Sequence, residues 1–208
     1  SAGKSTKFVF GFAIKEKGVN PVSVPAGEVY GCGQLLGREQ VGAGADWALI
    51  KLDRPVLNHK PLGLNRSGKI ANGTPLFVIG HPAGLPTKIA GGAKVRDASP
   101  NGYLVANLDT YGGNSGSAVF NAGTGLVEGI LVRGENDYVW KGSCQVSNKC
   151  PDEGCRGEDV TKLSALSSQI PATTPEALKA VTVNKAFLDL LGNSLLQYYG
   201  LGVADLPY

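Results

Sequence analysis

The stretch Asp109-Thr110-Tyr111-Gly112-Gly113-Asn114-Ser115-Gly116-Ser117-Ala118 carries the strongest chemical signal in the chain. A serine nucleophile needs an exposed hydroxyl, backbone N–H groups aimed at one point, and a clear path for an approaching carbonyl. Gly112, Gly113 and Gly116 meet the last two needs, because backbone without Cβ atoms turns sharply and lets a substrate come close. The expected chemistry is acyl transfer, with Ser115 attacking and the N–H groups of Gly113 and Ser115 facing a developing oxyanion. The plainer alternative is a turn and nothing more, since Gly, Asn and Ser dominate turns.

A second stretch lies upstream: Ala45-Asp46-Trp47-Ala48-Leu49-Ile50-Lys51-Leu52-Asp53-Arg54-Pro55-Val56. An acid at the mouth of so apolar a strand needs a partner, because a shielded carboxylate is costly alone. An acid that orients a histidine and stabilises its imidazolium is placed this way. An Asp that caps a turn at a strand edge is the alternative.

Together the two stretches resemble the chymotrypsin-like serine peptidases, and more closely the bacterial branch that includes the glutamyl endopeptidases. Asp46 to Leu52 resembles the family's triad-acid strand, and Gly113-Asn114-Ser115-Gly116-Ser117 its nucleophile loop. Gly129-Ile130-Leu131-Val132-Arg133-Gly134 resembles the strand that lines the first specificity pocket. The likeness runs in order and texture from about Phe8 to Thr161, and only these three segments are specific. It implies an all-β fold of two antiparallel β-barrels with the site in the cleft between them. It also implies Ser115 as nucleophile, Asp46 as orienting acid, and Gly113 with Ser115 as the oxyanion hole. Val132, Arg133 and Gly134 would hold a peptide or protein substrate as an added strand. No metal or organic cofactor is called for. The rival Gly-x-Ser-x-Gly elbow fails at Ser117, and its flanks lack a strand–helix alternation.

Substrate preference rests on less. The residue six before the nucleophile sits at the base of the first pocket in trypsin-like members. Here it is Asp109, and a carboxylate there would select Lys or Arg. Acid-specific bacterial members also carry an Asp-Thr pair before Gly-Gly, so Asp109 and Thr110 have a structural alternative. The histidine that glutamate-selective relatives place on the later strand is replaced by Leu131. Arg133 and Glu128 each have two readings, a charge offered to substrate or a charge facing solvent.

The family's order is His, Asp, Ser. This chain has only His59 and His81, both after Asp46. In the chymotrypsin template the histidine precedes the acid by on the order of 45 residues, at or just before Ser1 here. The general base is therefore expected on an upstream segment, together with the first strands of the first barrel. The sequence contains no Met, so an upstream piece is expected on that ground too. Without a base Ser115 has no route to activation, and the chain alone is expected to be inactive. The competing reading is a protease-like domain without catalysis that binds peptides. In either case His59 is expected to be solvated and His81 to cap a turn.

The elements that must position these groups are short. Thirty Gly and 12 Pro among 208 residues disfavour long helices and suit strands joined by turns. Strands are expected over Lys7 to Ile14, Glu28 to Leu36 with a bulge near Gly31 and Gly33, and Trp47 to Leu52. Further strands are expected over Leu76 to Gly80, Lys88 to Arg96, Tyr103 to Leu108, Ser117 to Phe120 and Leu126 to Val132. The implied division is 1–60 for the remainder of the first barrel, 61–164 for the second, and 165–208 for a helical tail. Thr174, Pro175 and Glu176 read as the start of a helix running from Ala177 to Leu191. That tail is either a docked helix or a linker.

Cys144, Cys150 and Cys155 crowd one loop, Glu135 to Gly157, and Cys32 lies apart. The pattern suits disulfides and a secreted or periplasmic protein. No CxxC pair or nearby histidine accompanies them, which argues against zinc. A net charge of +3 without a basic block gives no nucleic-acid footprint. No apolar run reaches the roughly 18 residues of a membrane span.

Overall fold

A computed structural model describes residues 5–171. The strands in chain order are β1 (Lys7–Val9), β2 (Val29–Gln40), β3 (Asp46–Leu52), β4 (Pro75–Gly80), β5 (Lys88–Asp97), β6 (Tyr103–Ala106), β7 (Ala118–Asn121), β8 (Val127–Arg133), β9 (Tyr138–Lys141), β10 (Cys144–Ser147) and β11 (Glu158–Lys162). The only helical pieces among the described residues are short 3-10 turns, so the expected all-β fold stands. The expected helix from Ala177 to Leu191 and its cap lie outside the described residues.

Six strands close a barrel in the order β11-β6-β5-β4-β7-β8, closed because β11 pairs with both β6 and β8. Side chains alternate between its faces, as a pleated strand requires. On β4, Leu76 and Val78 join Val95, Leu104, Val119, Leu131 and Val160 in one buried cluster. Phe77, between them, joins a second cluster with Phe120, Val127, Leu163 and Leu166. The rings of Phe77 and Phe120 stack 4.8 Å apart, and Trp47 of β3 packs against this cluster.

β1, β2 and β3 form a separate antiparallel sheet. The two expected barrels are thus represented by one closed barrel and one open three-stranded sheet. β2 runs longer than expected, with register shifts at Cys32/Gln34 and Leu35/Gly37. β1 is shorter than the apolar pattern of Phe8, Phe10, Phe12 and Ile14 suggests. Gly11, at φ 70°, takes the chain out of the extended conformation. The segment then crosses to the barrel, where the Phe12 carbonyl accepts the N–H and the hydroxyl of Thr87 at 2.9 and 3.0 Å.

Two elements were not foreseen. The cysteine loop contains the β9–β10 hairpin, and a Cys150–Cys155 disulfide closes its far end. Cys32 and Cys144 are free thiols. β11 itself is the strand that closes the barrel.

Candidate active site

Ser115 sits on a loop locked to β8 from both sides. The Gly116 N–H donates to the Leu131 carbonyl at 2.7 Å, and the Leu131 N–H returns a bond to Ser117 O at 3.0 Å. Asn114 is buried, and its side chain bonds the hydroxyls of Thr110 and Ser117. This internal bracing leaves Ser115 exposed, with its hydroxyl donating to Val132 O at a long 3.4 Å. Among the described residues, the N–H groups of Gly113 and Ser115 donate to no protein acceptor. Unpaired donors next to an exposed hydroxyl are what an oxyanion site needs. Gly113 adopts φ 96°, and a Cβ there would lie 2.9 Å from the Ala83 nitrogen, so only glycine fits.

Asp46 begins β3 and is pinned by its backbone. Its N–H donates to Thr161 Oγ1 at 3.0 Å, and the same hydroxyl donates back to Asp46 O at 2.9 Å. Two residues earlier, Gly44 O accepts Arg133 Nη2 at 2.5 Å. The mouth of β3 is therefore tied to β8 and β11, on the side of the barrel that carries Ser115. Among the described residues the Asp46 carboxylate has no hydrogen-bond donor, which leaves it available to one from elsewhere.

Beside Ser115 lies a cavity of about 60 Å³ lined by Thr110, Tyr111, Leu131, Arg133, Gly134 and three acids, Glu135, Asp137 and Glu158. Asp109 is exposed and is not among its lining residues. Glu158 leans across Gly134 so closely that any Cβ at that position would collide with its carboxylate. Burial, reinforced by the negative charges of Asp137, Asp159 and Glu135, raises the Glu158 pKa from the ordinary 4.5 to about 7. The charge of Arg133 is only partly offset within the site. Its Nε donates to the buried Asp159 at 2.8 Å, and Asp159 is shared with Arg156. Val132 and Arg133 end β8 beyond Leu131, where β8 has no strand partner on its β7 side. That edge can take an extended peptide.

Among the described residues, neither histidine hydrogen-bonds Ser115. His59 is half-buried rather than solvated, bonding Glu28 at 2.6 Å and stacking on Phe10 at 4.9 Å. His81 closes its own turn, with Nδ1 2.9 Å from the Leu85 carbonyl. Sequence reasoning missed Asp137, Glu158 and the Ala83 backbone. No local pattern marks the first or last. Glu158 sits in the run Glu-Asp-Val-Thr-Lys, which is too polar to read as a buried strand.

The family model described as "Trypsin-like peptidase domain" matches residues 13–130. The chain belongs to this family. That match takes in Asp46 and Ser115 and ends within β8, so β11 and the acids of the cavity lie beyond it. Among solved structures, this trypsin-like domain is similar to Rv3671c of M. tuberculosis in an inactive mutant form, at 13% identity and a TM-score of 0.45, over 76% of this chain and 69% of that one. The active form of the Rv3671c protease matches at 17% identity and 0.44, over 71% and 61%. The HtrA-type protease AlgW with tripeptide matches at 18% and 0.44, over 74% and 52%. No curated protein matches by sequence.

Proposed function

We propose that this trypsin-like domain is a serine endopeptidase in which Ser115 is the nucleophile and Asp46 orients the general base. The base is a histidine supplied by sequence upstream of Ser1. The observation that carries the reading is the Gly113–Ser115 turn, with two unpaired N–H groups beside an exposed hydroxyl, a free strand edge and a side-chain cavity. In the reaction the base takes the Ser115 proton as Oγ attacks the peptide carbonyl. The N–H groups of Gly113 and Ser115 stabilise the oxyanion, and the protonated base then delivers its proton to the leaving amine. Val132 to Gly134 hold the substrate backbone, with Thr110 in the cavity wall. The disulfide is in keeping with a secreted or periplasmic protein.

The substrate side chain that suits the cavity is cationic. What supports this is the trio Glu135, Asp137 and Glu158 rather than Asp109, three acids that outnumber Arg133 in the cavity wall, with Arg133 held on Asp159. A Lys or Arg side chain would hold Glu158 ionised, so its binding tightens as pH rises through about 7. The test is the chain extended by its own upstream sequence, assayed on fluorogenic peptides with Lys, Arg or Glu at the cleavage position. Hydrolysis after Lys and Arg, abolished by Ser115→Ala, is expected, with KM falling between pH 6 and 8. Preference for Glu would refute the cationic reading.

The second reading is a peptide-binding domain without catalysis, favoured by the engagement of both histidines away from Ser115. An extended chain that binds peptides but never cleaves them would establish it.

A further inference from the structure

We propose that Asp137 is a positioning residue of the oxyanion hole: with the backbone N–H of Ala83, it grips Gly112 from two sides and so fixes the direction of the Gly113 N–H. The proposal rests on the reading of Ser115 as nucleophile.

Two consecutive glycines precede Asn114, and the peptide plane between them rotates at little steric cost. If that plane turned over, a carbonyl would face the oxyanion in place of an N–H. The rest of the loop is braced from within by Asn114, whose side chain bonds Thr110 and whose carbonyl accepts the Ser117 N–H, and is tied to β8 through Gly116 and Ser117. Among the described residues, Gly112 has no bond within the loop and is held by Asp137 and Ala83 alone. Asp137 Oδ2 accepts its N–H at 2.6 Å, a charge-assisted bond. Its carbonyl accepts the Ala83 N–H at 2.7 Å. In a trans peptide the C=O and the following N–H point in opposite directions. Anchoring Gly112 O on Ala83 therefore turns the Gly113 N–H away from Ala83, to the other side of the loop.

Both grips come from rigid surroundings. Ala83 sits at φ 50°, a left-handed conformation that an L residue avoids. It is kept there by a turn closed three times: His81 Nδ1 with Leu85 O, Gly84 N–H with His81 O, and Leu85 N–H with Pro82 O. Asp137 lies at the base of the β9–β10 hairpin. Its own carbonyl accepts the Asn148 N–H at 2.8 Å. Next to Gly112, the Tyr111 hydroxyl bonds Ser147 at 3.2 Å and its ring packs against Tyr138. The hairpin thus serves as a buttress for the nucleophile loop.

Two measurements test this. In amide NMR of the 208-residue chain, Asp137→Ala should move the Gly112 and Gly113 resonances while those of barrel residues such as Val119 stay in place. In the upstream-extended chain, Asp137→Ala should lower kcat by roughly 10- to 100-fold, since a transition-state contact is misdirected. KM for Lys and Arg substrates should rise as well, because Asp137 also lines the cavity, whereas the kcat loss should persist on a substrate with a neutral side chain there. Asp137→Asn keeps an acceptor oxygen and should recover most of the loss. Unmoved Gly112 and Gly113 resonances, or an unchanged kcat in an active parent, would overturn the proposal alone. An extended parent that cleaves nothing, or that cleaves as well with Ser115→Ala, overturns the nucleophile reading and with it the catalytic role of Asp137.

Discussion

Glu158 is a residue whose neighbours along the chain give no hint of its surroundings. It becomes conspicuous only when β11 closes the barrel and sets it over Gly134, near Asp137 and Asp159. Its pKa is raised by burial and by like charge, so the folded protein binds a proton there that the unfolded chain has released. Stability from this group is complete below about pH 4.5 and is lost as pH climbs to about 7. Discounted for partial exposure to solvent, the loss is about 1–2 kcal/mol. Glu158→Gln should therefore flatten the fall in thermal stability between pH 5 and 8 and be the more stable protein at pH 8. Melting curves that stay parallel across that range would show that Glu158 is not strained. Ser115 and Asp46, by contrast, stood out in the sequence because residue type and local spacing alone announce them. Asp137 and Ala83 act through bonds to a distant loop, and no window of sequence contains both ends of such a bond.

Among elements, most strands with apolar alternation were legible to within about two residues, but β1 stops at Val9, well short of the expected Ile14, and β2 runs on past Leu36 to Gln40. β11 escaped because two of its buried residues are polar. Asp159 is buried between two arginines, and Thr161, fully buried, spends its hydroxyl on the backbone of Asp46. A search for buried strands looks for apolar side chains and passes over carboxylates and hydroxyls whose partners arrive from elsewhere. The same bond makes β11 the element that seats the candidate triad acid. Thr161→Val keeps the volume but strips both partners from the Asp46 backbone, leaving a partly buried N–H and C=O unpaired. The expected cost is about 1–3 kcal/mol in urea denaturation, with Thr161→Ser close to the parent. A Thr161→Val protein within about 0.5 kcal/mol of the parent would mean that water satisfies those groups and that the pin is dispensable.

At the scale of the molecule, the candidate site is divided unequally. The barrel supplies the nucleophile loop, the strand edge and the cavity, while the β1–β3 sheet supplies only Asp46. Their stabilities should differ in the same sense. Of the buried apolar residues among the described ones, only Tyr30 and Ala45 lie ahead of β4; the rest belong to the barrel and the segments flanking its strands. The sheet keeps Val9, Leu35 and Leu36 exposed and is tied to the barrel at few points, among them Thr161 with Asp46, Arg133 with Gly44 and Thr87 with Phe12. The all-β architecture was readable from glycine, proline and alternation; this imbalance was not, because it depends on which strands close on one another. Local opening follows buried apolar contact, so amides of β2 and β3 should exchange with solvent roughly tenfold or more faster than those of β4, β7 and β8 in native-state hydrogen exchange. If the two sets exchange together at the global rate, the sheet and the barrel unfold as one unit. In that event the few cross-links, with the packing of Trp47 against the second cluster, bind Asp46 to Ser115 as firmly as the barrel binds its own strands.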